Sequence, residues 1–277
     1  MIEPFLKWAG GKRWLVKNYR HLFPLRYKAY FEPFLGSGAV YFYLSPKRAL
    51  LSDSNKELIN AYQQLQSAPR AITQHLHRYQ ILHNDKFYYK CRDSLPDNPI
   101  ERAVRFIYLN RTCWNGLYRE NRNGKFNVPL GSKTLVEFPE NYLEKVSEHL
   151  TNAKILDSDF EDIIDIASAD DLVYLDPPYT VTHNNNNFIK YNSRLFSWDD
   201  QIRLCEAVKR AASRGAWVVV SNANHECVRS LYKDFGIHHL LERVSLLSAD
   251  AERRVRTTEL CITNFGRNSE DGLHNLG

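Results

Sequence analysis

Short apolar runs, four to eight residues long, recur along the chain and end on small, polar or acidic residues. Residues 27–34 run into Gly36-Ser37-Gly38, residues 48–52 end at Asp53, and residues 153–156 end near Asp157 and Asp159. Residues 171–175 end at Asp176 and residues 216–220 at Ser221-Asn222, with later runs at 243–247 and 259–265. Their length and β-branched content predict buried strands. Between several of them lie stretches of helical periodicity at 39–44, 139–149 and 198–213. Alternating strands and helices predict an α/β fold with a mostly parallel sheet covered on both faces.

One interval breaks the alternation. About a hundred residues separate Asp53 from the run near Leu156 without a convincing parallel strand. Residues 56–77 read as one helix and 99–110 as another, followed by a polar Gly- and Asn-rich stretch at 115–131. A doubly wound domain has no use for this length at that point, so it reads as an insertion. The expected organisation is a discontinuous sheet domain over 1–55 and 145–266, an inserted, mostly helical domain over 56–144, and a flexible tail over 267–277. The Asn run at 184–187 reads as a mobile loop.

Charge sharpens the picture of the insertion. The 37 Lys and Arg against 32 Asp and Glu leave only +5, but residues 100–135 alone carry +5 and residues 151–177 carry −7. A solvated surface would account for the basic stretch on charge alone. Its interleaving with Asn110, Trp114, Asn115, Tyr118, Asn121, Asn123 and Asn127 points instead to nucleic acid. Arg and Asn read base edges, and aromatic rings wedge between bases. No apolar run reaches the ~18 residues of a membrane span. The opening Met1-Ile2-Glu3-Pro4-Phe5-Leu6-Lys7-Trp8 lacks a secretory pattern, so a cytoplasmic location is expected. Five widely spaced cysteines without a Cys-x-x-Cys pair, and scattered histidines, suggest no metal site.

Ligands of open α/β sheets bind beyond the carboxyl ends of the strands. Phe34-Leu35-Gly36-Ser37-Gly38 falls there, with small residues that let backbone approach a ligand. It lacks the three-glycine spacing of a dinucleotide fingerprint. Asp53, seventeen residues after Gly36, is placed to accept the hydroxyls of a ribose. Asp159-Phe160 reads as the end of a third strand, where an acid and a ring bracket a purine. Asp176-Pro177-Pro178-Tyr179 closes a fourth. Its two prolines have no backbone donor and fix the chain, so carboxylate, carbonyl and ring form an acceptor pair beside a stacking face. That arrangement suits an exocyclic amino group on a planar base. Trp8-Ala9-Gly10-Gly11-Lys12 lacks the first glycine and the Ser or Thr of a phosphate loop.

In this order the motifs resemble those of the Dam-type DNA adenine-N6 methyltransferases of the D12 class. The resemblance rests on Phe5-Leu6-Lys7-Trp8-Ala9-Gly10-Gly11-Lys12, Glu32-Pro33-Phe34-Leu35-Gly36-Ser37-Gly38, Asp53-Ser54-Asn55, Tyr108-Leu109-Asn110-Arg111, Asn115-Gly116-Leu117, Phe126-Asn127-Val128-Pro129-Leu130-Gly131 and Asp176-Pro177-Pro178-Tyr179. It implies a Rossmann-like class I methyltransferase sheet with an inserted DNA-recognition domain, S-adenosylmethionine as cofactor and double-stranded GATC as substrate. It implies that Asp176, Pro177, Pro178 and Tyr179 are catalytic on a flipped adenine. Trp8, Lys12, Phe34, Gly36, Ser37, Gly38, Asp53, Asp159, Phe160 and Asp176 would then line the cofactor. Arg119 matches a base-reading arginine, Leu117 and Pro129 apolar base contacts, Trp114 a wedge, Asn115 the orphaned base's partner, and Lys7 a contact to the first guanine. Asn110, Arg111 and Asn121 complete the expected DNA surface. The implied enzyme is a monomer in solution, able to load in more than one copy on DNA, and needs neither metal nor membrane.

Two departures stand out. Ser132-Lys133-Thr134 replaces a basic or Tyr-containing turn, which leaves a related site such as GATATC open. Leu247-Ser248-Ala249-Asp250-Ala251-Glu252 replaces a Ser-Ser-Asn-Gly stretch. Cytosine-N4 or RNA amino methylation, and a DNA-binding protein on an inactive methyltransferase fold, are the alternatives. Whether the enzyme guards against a partner endonuclease, marks DNA for repair and replication, or serves a phage is left open by the sequence.

Overall fold

The computed structural model describes residues 2–121, 124–132, 136, 138–181, 196–244 and 256–266. The expected mobile loop at 184–187, the expected tail at 267–277 and the divergent stretch at 247–252 lie outside the described residues. In chain order the elements are α1 (Arg13–Asn18), β1 (Tyr30–Glu32), α2 (Ala39–Leu44), β2 (Ala49–Asp53), α3 (Lys56–Ser67), α4 (Pro69–Leu82), α5 (Asp85–Asp93) and α6 (Pro99–Thr112). They continue with α7 (Tyr142–Leu150), β3 (Ala153–Asp157), α8 (Phe160–Ile166), β4 (Leu172–Leu175), α9 (Trp198–Ser213), β5 (Trp217–Ala223), α10 (Glu226–Leu231), β6 (Ile237–Val244) and β7 (Arg256–Thr263).

Among the described residues the strands form a seven-stranded sheet in the order β3-β2-β1-β4-β5-β7-β6. The pairs β1–β4 and β4–β5 are parallel, as the strand-helix alternation predicts. β7 is antiparallel to both of its neighbours, β5 and β6. Each residue of β4 is buried, which is why the strand reads as an unbroken apolar run rather than an alternating one.

The helices begin where short polar side chains can satisfy the first free N–H groups. Asn55 Oδ1 accepts from Leu58 N at the start of α3, Asn84 from Phe87 N at α5, and Asn98 from Ile100 and Glu101 N at α6. Ser197 and Asp200 form a reciprocal capping box at α9. The single helix expected over 56–77 is two. Pro69 cannot donate to the preceding turn and drives Ala68 out of the helical region, to φ −138° and ψ 52°, so α3 stops and α4 starts at the proline. The strand expected at 243–247 is observed as β6, further toward the N-terminus.

The described residues divide into two compact units. One draws on Met1–Val16, Leu35–Lys47 and Leu51–Asp157, the other on Lys17–Phe34, Arg48–Leu50 and Ser158–Gly277. The first has a core of Leu58, Ala61, Tyr62, Leu65, Ile72, Leu76, Val104, Ile107 and Tyr108. The core of the second is built from Tyr30, Val173, Tyr174, Leu204, Val208, Val219 and Leu260.

Candidate active site

In the first unit β2 ends on Asp53, and its carboxylate is organised by backbone. Oδ2 accepts from Gly36 N and Oδ1 from Asn55 N, both at 3.0 Å. Burial raises the Asp53 pKa above its ordinary value, while the N–H donors pull it back part of the way. Gly36 sits at φ +46° and Gly38 at φ +63°, in the left-handed region that favours glycine. A Cβ on Gly36 would come within 2.8 Å of Trp8 Cδ1, and one on Gly38 within 3.1 Å of Tyr62 Oη. The Tyr62 hydroxyl donates to Gly36 O at 3.2 Å. Trp8 in turn stacks on Tyr118, with centroids 5.4 Å apart. Ser37 is buried, as is Lys12, whose Nζ donates to Gly10 O at 2.9 Å.

The Gly- and Asn-rich stretch after α6 is an antiparallel hairpin. Its strands bridge at Cys113–Leu130 and at Glu120–Phe126. Trp114 N donates to Pro129 O at 2.9 Å and Gly131 N to Thr112 O at 2.8 Å, which closes the base. Near the tip Asn121 N donates to Lys125 O at 2.8 Å, and Asn121 Oδ1 accepts from Lys125 N at 3.1 Å. Trp114 is 53 % exposed, and Asn115, Arg119, Asn121 and Pro129 are also exposed, with Leu117 half-buried. Arg119 Nε donates to Asn127 Oδ1 at 2.9 Å. Asn115 and Gly116 both take positive φ, and a Cβ on Gly116 would overlap Lys7.

Asn110 and Arg111 are engaged inside the protein. Asn110 is buried; its Oδ1 accepts from Lys7 N at 2.9 Å and its Nδ2 donates to Lys7 O at 2.7 Å. Asn110 thus ties the Lys7 segment to the hairpin base. Arg111 lies over the Phe138 ring at 4.7 Å, and burial lowers its pKa.

In the second unit Phe34 stacks on Phe160, centroids 5.4 Å apart, and meets Phe196 edge-on at 5.5 Å. Asp159 and Phe160 do not end a strand as expected: β3 stops at Asp157, and the pair opens α8. The reason is local, since Asp159 Oδ1 accepts from Glu161 N at 2.9 Å and caps the helix. The same oxygen accepts from Arg203 Nη2 at 2.9 Å, and the Arg203 guanidinium covers the Phe160 ring at 4.9 Å.

Asp176 follows the last residue of β4, with Pro177 buried and Asp176, Pro178 and Tyr179 half-buried. The Tyr179 hydroxyl donates to Glu259 Oε2 at 2.7 Å and lies 3.2 Å from Ser221 Oγ. Glu259, Tyr62 and Arg203 carry no site expectation from the sequence, Ser221 only that of a strand end, and Tyr118 only that of a ring in the basic stretch. For Glu259 a signal exists, since it is an acid beside the buried run Leu260-Cys261-Ile262 on a strand interior.

Among the described residues no group of three or more His, Cys, Asp or Glu side chains is placed to hold a metal ion. Among them, too, no helix is long and apolar enough to cross a membrane.

Comparison with known proteins fits this collection of motifs. The family model for D12 class N6 adenine-specific DNA methyltransferases matches residues 8–246. A type II methyltransferase of Lactococcus lactis subsp. cremoris, M1.LlaDCHI, is 38% identical over 274 residues, covering 96% of each chain. M.MjaIII of Methanocaldococcus jannaschii, also named a type II methyltransferase, is 36% identical over 95% of this chain and 99% of its own. The DNA adenine methylase of Vibrio cholerae serotype O1 is 36% identical over 83% of this chain and 84% of its own. The chain therefore belongs to the D12 class of N6 adenine-specific DNA methyltransferases, enzymes that act on DNA with a methyl donor.

Proposed function

We propose that this enzyme transfers a methyl group from S-adenosylmethionine to N6 of adenine in double-stranded GATC, with the adenine turned out of the duplex into the site. The observation that carries the reading is the turn after β4, where Asp176, the buried Pro177 and the half-buried Tyr179 follow one another at the end of a buried strand. An adenine amino group has two hydrogens to donate. The Asp176 carboxylate and the Pro177 carbonyl supply two acceptors, and neither proline brings a competing N–H. Accepting both hydrogens draws the nitrogen toward tetrahedral geometry and frees a lone pair that conjugation otherwise holds in the ring. Tyr179 offers its ring face to the base, which offsets part of the few kcal/mol that extrusion costs.

When bound, S-adenosylmethionine supplies an electron-poor methyl carbon on a sulfonium. With its two hydrogens held by the Asp176 carboxylate and the Pro177 carbonyl, the amino nitrogen would present its lone pair to that carbon, and its surplus proton would pass to solvent. Positioning and electrostatics are the enzyme's contribution. The residues present suit the cofactor. Asp53 is held by two backbone N–H groups and keeps acceptor capacity for ribose hydroxyls. Gly36 and Gly38 would leave bare backbone for the methionine portion, beside Ser37, Trp8 and Lys12 of the same unit, and Phe34 is a further proposed cofactor contact. Asp159 and Phe160 would flank the cofactor adenine.

On the DNA side the hairpin is the reader. Arg119 addresses a base edge, Leu117 and Pro129 give apolar contacts, Trp114 fills the gap left by the extruded base, and Asn115 meets its orphaned partner. Asn121, Lys7 and Arg111 extend the surface, and Asn110, the remaining residue expected there, ties the Lys7 segment to the hairpin base. Residues 56–144 form the recognition insert, and 1–55 with 145–266 the catalytic domain. The enzyme works as a monomer in the cytoplasm.

Sequencing methylated adenines in DNA from cells that express the protein tests the reading. N6-methyladenine at GATC is expected; modification confined to another motif, GATATC included, overturns the specificity. Asp176→Ala is expected to abolish transfer in a protein that still melts cooperatively. A folded Asp176→Ala variant with wild-type turnover overturns the mechanism.

A further inference from the structure

We propose that Glu259 and Ser221 are positioning residues that fix the ring of Tyr179, and that turnover depends on them through that ring. The inference rests on the reading of Tyr179 as the platform for the extruded adenine. The two prolines fix the backbone of the turn, but they leave the side-chain torsions of Tyr179 free. The hydroxyl is the ring's one polar handle, and it is held at two points, 2.7 Å from Glu259 Oε2 and 3.2 Å from Ser221 Oγ. A phenol has a single proton. The carboxylate takes it as the stronger acceptor, so Ser221 donates into the same phenolic oxygen.

The two anchors are built into the sheet. Ser221 pairs with Cys261 and Ala223 with Glu259 in the antiparallel β5–β7 ladder, so Ser221 and Glu259 are diagonal neighbours on one face. Ser221 is 1% exposed and Glu259 7%, beside fully buried Leu260, Cys261 and Ile262. A carboxylate in that position is weak as a stability device, because an apolar residue of similar volume avoids its desolvation. What it adds is direction. A hydrogen bond from each strand fixes where the ring edge lies, and the ring plane follows from that edge and the proline-locked backbone.

The test compares Glu259→Ala, Glu259→Gln, Tyr179→Phe and the Tyr179→Phe/Glu259→Gln pair on a GATC duplex, with 2-aminopurine at the target adenine in a parallel set. Glu259→Ala is expected to lower kcat about 10- to 100-fold, the scale of a misplaced reacting group, with KM for duplex and methyl donor within about threefold. Glu259→Gln keeps an acceptor and is expected to recover most of that loss. In the Tyr179→Phe background, Glu259→Gln is expected to add nothing further to the kcat defect. If Glu259→Ala does not fold, Tyr179→Phe and the paired variant carry the same comparison without emptying the sheet. Folded Glu259→Ala with wild-type kcat, or independent losses from Glu259→Gln in the two backgrounds, overturns the inference. Wild-type enzyme that methylates adenine with no rise in 2-aminopurine fluorescence overturns the base-extrusion reading instead, so the two failures are distinguishable.

Discussion

Gly36 shows how much one residue can be required to do. Its φ of +46° excludes most side chains, and an added Cβ meets the Trp8 ring at 2.8 Å. Gly36→Ala is expected to cost about 1–2 kcal/mol of backbone strain and to push Trp8 away from Tyr118. A lower melting temperature and weaker methyl-donor affinity by calorimetry would report both effects. Asp53 gives a pH signature. Because burial holds its pKa above the ordinary 3.8, the folded state binds this proton more tightly than the unfolded chain does. Its contribution to stability is therefore fully present below pH 3.8 and is lost as pH rises through the raised value. Asp53→Asn cannot ionise, so its melting temperature relative to wild type is expected to climb across that window; a constant offset would contradict the assignment. Asp53 and Asp176 were legible in the sequence because acids at the ends of apolar runs are conspicuous. Glu259 is legible only as an acid beside an apolar run; its strand does not show that a tyrosine eighty residues earlier donates to it.

At the level of elements, local chemistry decided what could be read. Ala39–Leu44 and Trp198–Ser213 are helices over the residues their periodicity predicts. The hydrophobic period continues across Pro69 and so hides the break, although proline at a first helical position is a start signal. β6 lies largely outside the apolar run at 243–247, and Ile237 and Leu240 are 46% and 62% exposed, so its apolar residues do not mark a buried strand. The sequence marks the hairpin as a polar, basic stretch without strand alternation, because it is paired by isolated bridges rather than a continuous ladder, and Asn110 ties its base to the Lys7 segment. Asn110 is the test of that tie. Asn110→Ala leaves Lys7 backbone groups without their partner and is expected to cost about 1–3 kcal/mol. Denaturant unfolding should show the loss, and a raised KM for duplex should accompany it if the hairpin is the reader.

Across the whole molecule the charge runs take on different meanings. The acidic segment does not present an uncompensated negative face. Arg203 pairs with Asp159 and Glu161, Arg210 with Glu161 and Asp165, and Arg214 with Asp165, so α9 and the residue that follows it supply counter-charges to α8. The basic segment is partly spent inside as well. Arg105 donates to Cys91 O and Arg92 O, and Arg102 pairs with Glu57. Arg119 and Lys125 remain exposed on the hairpin. Neutralising Arg119, Arg122 and Lys125 is expected to flatten the salt dependence of DNA binding by about 0.9 in log–log slope for each phosphate that no longer meets a cation. Arg102→Ala should leave that slope unchanged, and a filter-binding salt titration separates the two. The closure of the hairpin at Thr112–Gly131 and Trp114–Pro129 has a further consequence. Its two ends are hydrogen-bonded neighbours, whereas each compact unit is assembled from three separated stretches of chain. Neither unit can be spliced out in one piece, but the hairpin can. If the hairpin reads DNA as proposed, it is a cassette: grafting the corresponding hairpin from a relative with another target site should carry that sequence preference over while the turn after β4 stays unaltered.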